Sequence, residues 1–229
     1  PEAIRIAAGH HHADAIGLVR TENIYSGILP LSVDKLAEIF RSLIRSSHGK
    51  TITFRIIDLQ LDKKPAAFGF TTYKGVAWYL EDPLGQAVAI QQLRAFIRIF
   101  NNEVGLRNFR VMFPMIRHAQ DLETAVSLMK QAIKLEEEED TLLPIGSMIE
   151  TKSIVEAIGD MLPKVAFSSF GTNDLTVDFY PKAKRDQEAS IKKYFQRVLP
   201  QIIHVIRKVT EQANKAQIDC SICGDLASL

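Results

Sequence analysis

Residues 109–149 read FRVMFPMIRHAQDLETAVSLMKQAIKLEEEEDTLLPIGSMI, and they predict a strand, a helix and a second strand. The runs at 109–115 and 144–149 are short and apolar, which is typical of buried strands. Between them, 121–135 carries apolar residues at helical spacing. A helix that joins two strands in this way indicates a parallel crossover, so the stretch favours the α/β class.

The same alternation extends over most of the chain. Further strands are predicted at 3–7, 15–20, 51–58, 164–170 and 218–223, and further helices at 33–47, 91–100 and 153–162. This order favours a (β/α)8 TIM barrel over a doubly wound sheet, with residues 1–229 forming a single domain. The predicted barrel is incomplete, because an eighth strand is not evident and residues 9–14 are too short for a first crossover helix.

Composition excludes several classes of protein. The 229 residues carry 28 basic and 27 acidic side chains, and this near-neutral balance argues against a nucleic-acid-binding surface. No apolar run is long enough for a transmembrane helix, and no signal peptide is evident, so we expect a soluble protein. The cysteine usage favours a reducing cytoplasm. The two cysteines, Cys220 and Cys223, are too few for a disulfide framework or a four-cysteine zinc site.

Polar residues gather where the predicted strands end, which is where a parallel barrel carries its functional groups. These residues are Arg20, Glu22, Arg55, Asp58, Glu150, Asn173, Asp174, Cys223 and Asp225. Two carboxylates at neighbouring strand ends suit Mg²⁺, and arginines suit phosphate or carboxylate groups. Backbone N–H groups at 171 and 172 are further candidates for contacting phosphate oxygens. The set therefore favours a small, metal-bound, multiply anionic ligand and phosphoryl transfer.

Each of these features also has a structural explanation. Arg55 and Asp58 are compatible with structural ion pairs, and Cys223 with a small buried apolar residue. The Cys220-x-x-Cys223 spacing and the three histidines at 10–12 are weaker signs of redox chemistry and of a metal patch. The acidic run at 136–140 is expected to form a solvated loop.

Six ordered strings resemble the C-terminal domain of phosphoenolpyruvate-utilising enzymes. They are IGLVRTE at 16–22, FRIID at 54–58 with Asp62-Lys63, MFPMI at 112–116, IGSMIET at 145–151, SFGTNDLT at 169–176 and CGDLA at 223–227. Within that family the pattern from Arg55 to Lys63 is most similar to Enzyme I of the bacterial sugar phosphotransferase system. Pyruvate phosphate dikinase and phosphoenolpyruvate synthase are more distant relatives.

The resemblance implies a phosphoenolpyruvate-type barrel that binds phosphoenolpyruvate and Mg²⁺. A phosphotransferase of this kind passes the phosphoryl group to a histidine on a separate domain or protein and releases pyruvate. It also implies a homodimer. By the matching strings, Glu150 and Asp174 hold Mg²⁺, and Cys223 is the general acid that protonates the enolate.

The resemblance also supplies residues for the substrate. Arg20 and Arg55 contact the phosphate and belong to the catalytic set with Cys223, and Asn173 and Asp174 help to bind the ligand. Arg185 is the candidate for a further phosphate-binding arginine, although its position is shifted relative to the family pattern.

Several positions depart from the family pattern. Gln60 and Leu61 replace a Gly-Gly pair, and Ala87 replaces an active-site arginine. Val177-Asp178 replaces Gln-Tyr, and Asp225 replaces a glutamate. These changes motivate a rival hypothesis, a degenerate non-catalytic barrel that acts as a regulatory or interaction module. A lyase or mutase on a related barrel ranks third, because it does not explain the Arg55 to Lys63 and Cys223 patterns.

Overall fold

The computed structural model describes residues 2–9, 13–25, 31–59, 73–138, 141–180 and 188–228. Its strands are β1 Ala15–Arg20, β2 Thr51–Arg55, β3 Phe109–Phe113, β4 Ile145–Ile149, β5 Phe167–Gly171 and β6 Asp219–Cys223. Its α-helices are α1 Glu2–Gly9, α2 Val33–Arg45, α3 Val76–Glu81, α4 Pro83–Asn102, α5 Ala119–Leu135, α6 Lys152–Glu156, α7 Ile158–Met161, α8 Thr172–Phe179 and α9 Glu188–Lys215. Short 3-10 helices cover Thr21–Tyr25, Val104–Leu106, Leu162–Lys164 and Asp225–Ser228.

The chain divides into two compact units. Unit 1 comprises Pro1–Pro114 and Glu123–Ile145, and unit 2 comprises Met115–Leu122 and Gly146–Leu229. In unit 1, β1 pairs with β2 and β2 with β3, and in unit 2, β4 pairs with β5 and β5 with β6. All four pairings are parallel, with helices between successive strands, so the α/β class is confirmed.

The prediction of a strand at 3–7 is wrong, because these residues lie in helix α1. The short apolar run predicted a strand, but Ile4 and Ala8, four residues apart, are the buried pair, as on one face of a helix. Ile6 is 58% exposed. The predicted short connection at 9–14 therefore joins a helix to β1, and no crossover helix is missing there. The described residues hold six strands where the sequence predicted seven.

The other predicted strands are confirmed, with ends shifted by up to three residues. The predicted helices at 33–47, 91–100 and 121–135 correspond to α2, α4 and α5, and that at 153–162 is broken into α6 and α7. Helix α4 begins eight residues earlier than predicted because Asp82 caps it and Pro83 occupies its first turn. Helices α3, α8 and α9 were not predicted from the sequence.

Aromatic side chains form the centre of unit 1. Phe40 of α2 stacks on Phe96 of α4 with 4.0 Å between ring centroids. Phe54 of β2 and Phe109 of β3 both pack against Phe96 at 5.0 and 5.7 Å. These rings pack β2 and β3 against α2 and α4, and this packing positions the carboxyl ends of both strands.

The acidic run at 136–140 is only partly the solvated loop that the sequence predicted. The Glu136 side chain is 8% exposed and binds Arg94 and Arg98 of α4, at 2.7 Å from each Nε. Burial by itself opposes ionisation of Glu136, but the hydrogen bonds and charges of the two arginines outweigh it and lower the pKa of this carboxyl. These two ion pairs join helix α4 to the residue that follows α5.

Replacement of Glu136 by Gln is expected to lower the free energy of unfolding by about 1 kcal/mol at neutral pH. Since the folded-state pKa is depressed, this contribution is fully present above about pH 4.5 and is lost as the pH falls through the folded-state value. Urea unfolding of the parent and the variant from pH 7 down to pH 3 measures it. A difference that stays constant over this range would contradict the ionic explanation.

None of the described helices is long and apolar enough to cross a membrane.

Candidate active site

Arg55 ends β2 and lies between two carboxylates of unit 1. Its Nη2 donates to Glu22 Oε1 at 2.5 Å, and its Nη1 lies 3.4 Å from Asp58 Oδ2. The same Glu22 oxygen also accepts the backbone N–H of Asp58 at 3.0 Å. The Arg55 side chain is 7% exposed and that of Asp58 is fully buried. The ion pairs that the sequence offered as a structural explanation are therefore present, and they fix the guanidinium at the strand end.

Arg20 ends the neighbouring strand β1, in register with Arg55. Residues in register on adjacent strands point to the same face of a sheet, so both arginines stand on one face at the carboxyl ends of β1 and β2. Arg20 is exposed, and no hydrogen bond or ion pair joins its side chain to any part of the chain that the structure describes. Its guanidinium is therefore available to an anionic ligand.

A buried amide, which the sequence analysis missed, supports this region. Gln92 of α4 is fully buried, and its Oε1 accepts the backbone N–H of Ile57 at 3.1 Å. Its Nε2 donates to the hydroxyls of Thr21 at 3.1 Å and Tyr25 at 2.9 Å. Burial raises the pKa of Tyr25 strongly, against the opposing effect of the Gln92 hydrogen bond, so the phenol stays protonated. Gln92 thus holds the segments that carry Glu22 and Asp58.

Glu150 follows β4 in unit 2 and is fully buried. Its Oε1 accepts the backbone N–H of Met115 at 2.6 Å. Met115 has a φ of 56°, a left-handed conformation that is uncommon for a residue other than glycine. Thr151 adds a second link, since its hydroxyl donates to the carbonyl of Ile116 at 3.0 Å. The strained turn after β3 therefore directs an N–H at this carboxylate.

Gly171 is the last residue of β5, and the Glu150 side chain occupies the place that a side chain at position 171 would need. A Cβ at Gly171 would lie 2.6 Å from Glu150 Oε2 and 2.9 Å from Met148 Cε. Gly171 is in register with Cys223, and Ile149 with Phe170, so Glu150 follows opposite Gly171 on the other side. The carboxylate and the thiol therefore flank one residue without a side chain, on one face of the sheet.

Asn173 and Asp174 lie in the first turn of α8, directly after Gly171. Asn173 Oδ1 accepts the backbone N–H of Asp225 at 3.0 Å, so this oxygen is committed to the chain after β6. Asp174 is half-buried, and its carboxylate has no hydrogen bond or ion pair with the residues that the structure describes. Asp178 at the other end of α8 accepts the N–H of Lys152 at 2.5 Å and helps to cap α6.

The donors in unit 2 fit Mg²⁺. Glu150 is fully buried, and its Oε2 lies within 2.6 Å of the place that a Cβ at Gly171 would take, at the strand ends. Mg²⁺ is commonly held by one or two carboxylates and keeps waters for a phosphate to replace. Glu150 and Asp174, which follow neighbouring strands, supply that number. No group of three or more His, Cys, Asp or Glu side chains suited to a metal occurs within the described ranges.

The two cysteines do not form the redox pair that their spacing offered as an alternative. Three residues apart on β6, their side chains point to opposite faces of the sheet. Burial raises the pKa of the Cys220 thiol, against the opposing hydrogen bond with Ser168, with a further increase from Asp219. Cys223 instead directs its Sγ at the carbonyl of Phe170, 3.1 Å away.

Several sequence predictions fall outside the described residues. They concern Arg185, the Gln60-Leu61 pair, Asp62-Lys63 and the histidines at 10–12. Ala87 is described, and it is exposed on the second turn of α4, with no arginine at that position.

Three residues of the site were missed or assigned differently from the sequence: Gln92, Met115 and Thr172. A glutamine on the apolar face of α4 is the one signal that pointed to Gln92. Met115 lies in the string MFPMI at 112–116, but nothing in that string indicates its backbone conformation. Thr172 was considered only for its backbone N–H, but its hydroxyl donates to the carbonyl of Cys223 at 2.8 Å.

The chain is similar to proteins of known activity along nearly all of its length. It is 27% identical over 238 residues to a phosphoenolpyruvate-protein phosphotransferase of Cupriavidus necator, covering 97% of this chain and 38% of the relative. It is 30% identical over 227 residues to the protein of the same name from Borreliella burgdorferi, covering 93% and 38%. The chain thus spans under two fifths of these relatives.

Solved structures show the fold. An HpcH/HpaI aldolase/citrate lyase family protein from Burkholderia cenocepacia matches with a TM-score of 0.56 and 14% identity, covering 99% of this chain and 77% of that one. The fold is therefore TIM-barrel-like, with six strands in the described residues where a closed barrel has eight.

Residues 2–229 match the family described as "PEP-utilising enzyme, PEP-binding domain". Both the six ordered strings and this full-length match lead to the same conclusion: the chain belongs to the phosphoenolpyruvate-utilising enzymes, through their phosphoenolpyruvate-binding domain.

Proposed function

We propose that this chain is the phosphoenolpyruvate- and Mg²⁺-binding barrel of an Enzyme I-type phosphotransferase. The observation that carries the proposal is the row of Glu150, Gly171 and Cys223 at the strand ends of unit 2. It combines a buried carboxylate, a residue without a side chain against which that carboxylate packs, and a thiol. The names of the relatives, phosphoenolpyruvate-protein phosphotransferases, support the same reaction.

In this proposal Arg20 and Arg55 bind the phosphate of phosphoenolpyruvate through charge-assisted hydrogen bonds. Glu22 and Asp58 hold the Arg55 guanidinium in a fixed orientation, so little side-chain entropy is lost when the substrate binds. Glu150 and Asp174 hold Mg²⁺, which supplies charge neutralisation when bound. Asn173 and Arg185 complete the ligand contacts, as the family resemblance implies.

The reaction breaks the bond between the phosphorus and the enol oxygen of the substrate. The phosphoryl group passes to a histidine nitrogen on a separate domain or protein, and the enolate of pyruvate remains. Cys223 donates its thiol proton to the methylene carbon, which yields pyruvate and leaves a thiolate to be reprotonated by water. General acid catalysis of this kind contributes roughly a 10²- to 10⁴-fold increase in rate. The homodimer implied by the resemblance stays a prediction.

Ala87 favours a second candidate function, the non-catalytic module. A bidentate arginine is missing at this exposed position of α4. Loss of one such donor costs about 2.7–4 kcal/mol of transition-state stabilisation, so a chain that lacks it either binds the substrate without fast transfer or has lost the activity.

Isothermal titration calorimetry of phosphoenolpyruvate, with and without Mg²⁺, tests the proposal. We expect metal-dependent binding by the parent chain and at least about tenfold weaker binding by the double variant Glu150→Ala/Asp174→Ala. The matched control is Asp160→Ala/Glu156→Ala, which removes two carboxylates of the same unit away from the strand ends. Absence of heat from the folded parent would overturn the proposal in favour of the non-catalytic module.

A further inference from the structure

The turn that follows Cys223 is held at two points by the start of α8. Thr172 Oγ1 donates to the carbonyl of Cys223 at 2.8 Å, and Asn173 Oδ1 accepts the N–H of Asp225 at 3.0 Å. The two hydrogen bonds lie on either side of Gly224. Two consecutive side chains of one helix therefore hold the residue before and the residue after this glycine.

Gly224 is required for this arrangement. Its φ is +98°, a conformation that residues with a side chain rarely adopt. A Cβ there would lie 2.5 Å from Thr172 Oγ1 and 2.8 Å from Asn173 Oδ1. The backbone of the turn thus packs directly on the two side chains that bind it.

The Cys223 thiol faces the backbone of β5. Its Sγ lies 3.1 Å from the carbonyl of Phe170, and a thiol is a poor hydrogen-bond donor. The position of Sγ relative to Gly171 and Glu150 therefore depends on where the Cys223 backbone lies. Cys223 is the last residue of β6, so the strand pairing ends at its backbone. Besides the pairing with Gly171, the Thr172 hydroxyl holds this backbone through the Cys223 carbonyl.

We infer that Thr172 is a positioning residue for the Cys223 thiol, acting through the Cys223 carbonyl. The inference rests on the proposed function, in which Cys223 delivers a proton. Thr172 is fully buried and is itself held, since the Thr176 hydroxyl donates to its carbonyl at 2.6 Å. Two hydrogen bonds, from Thr176 to Thr172 and from Thr172 to Cys223, thus connect α8 to the end of β6.

The reactivity of the thiol tests this role without substrate or metal. In a Cys220→Ser background, Cys223 is the one remaining cysteine of the sequence, and its alkylation by iodoacetamide is followed at fixed pH. Thr172→Val removes the hydroxyl and keeps the shape of the side chain. We expect it to raise the alkylation rate about fivefold, the effect of losing one hydrogen bond, while Thr172→Ser keeps the parent rate.

The matched control is Ser221→Ala, which removes a hydroxyl of the same strand that donates to Ser168 and not to the turn. An equal rate increase in this control would overturn the inference, because general loosening of β6 would then explain it. So would a parent-like rate in Thr172→Val with an unchanged circular dichroism spectrum. If Thr172→Val does not fold, Thr172→Ala, which also lacks the hydroxyl and takes up less space, is compared with Thr172→Ser in the same assay, and equal rates would overturn the inference.

The alkylation experiment and the calorimetry fail independently. Faster alkylation of Thr172→Val together with no binding of phosphoenolpyruvate would confirm the contact and overturn the proposed function. Normal binding together with unchanged alkylation would overturn the role of Thr172 and leave the proposed function in place.

Discussion

Replacement of Arg55 by Met is expected to lower the free energy of unfolding by about 3–5 kcal/mol. The guanidinium neutralises two carboxylates, Glu22 and Asp58, and the Asp58 side chain is fully buried. Removal of the charge leaves both anions in a poorly solvated place, and their mutual repulsion adds to the cost. Chemical unfolding with urea at neutral pH measures the change.

Arg41→Met is the matched control. Arg41 Nε binds Glu103 Oε1 at 2.5 Å, the same distance as the Arg55–Glu22 bond, but both side chains are at least one quarter exposed. We expect this variant to lose less than about 1 kcal/mol, because solvent screens an exposed pair. Equal losses in the two variants would show that burial of the Arg55 cluster contributes nothing.

Replacement of Gly171 by Ala is expected to disturb the Glu150 carboxylate without changing any charge. The new methyl group would lie 2.6 Å from Glu150 Oε2 and 2.9 Å from both Glu150 Cβ and Met148 Cε. Overpacking of this kind costs about 1–3 kcal/mol of stability. Since the methyl group displaces the carboxylate, the variant is also expected to lose the Mg²⁺-dependent part of the heat of phosphoenolpyruvate binding.

The matched control is Gly17→Ala on β1. This glycine also lies within a strand, but a Cβ there meets no atom within 4 Å. We expect parent-like stability and an unchanged calorimetric titration. If Gly171→Ala binds phosphoenolpyruvate with the parent affinity and the same metal dependence, then the position of the Glu150 carboxylate against Gly171 has no part in cation binding.

The class of fold and the order of the candidate residues could be predicted from the amino-acid sequence. Apolar runs and helical spacing are local signals, and they placed the strands from β1 to β6 within three residues of their ends. The six ordered strings were enough to indicate the family, which the match over residues 2–229 shows. The strand predicted at 3–7 is wrong because a short apolar run fits a buried strand and a short helix equally well.

Tertiary structure decided how these residues act on one another. The register of β4, β5 and β6 brings Glu150, Gly171 and Cys223 into one row, and register is a property of paired strands that no single strand encodes. The hydrogen bonds between Ile57 and Gln92 and between Thr172 and Cys223 join residues 35 and 51 positions apart. Such contacts form only after the chain has packed, because hydrogen bonds between distant side chains depend on the positions of whole elements and leave no local pattern in the sequence.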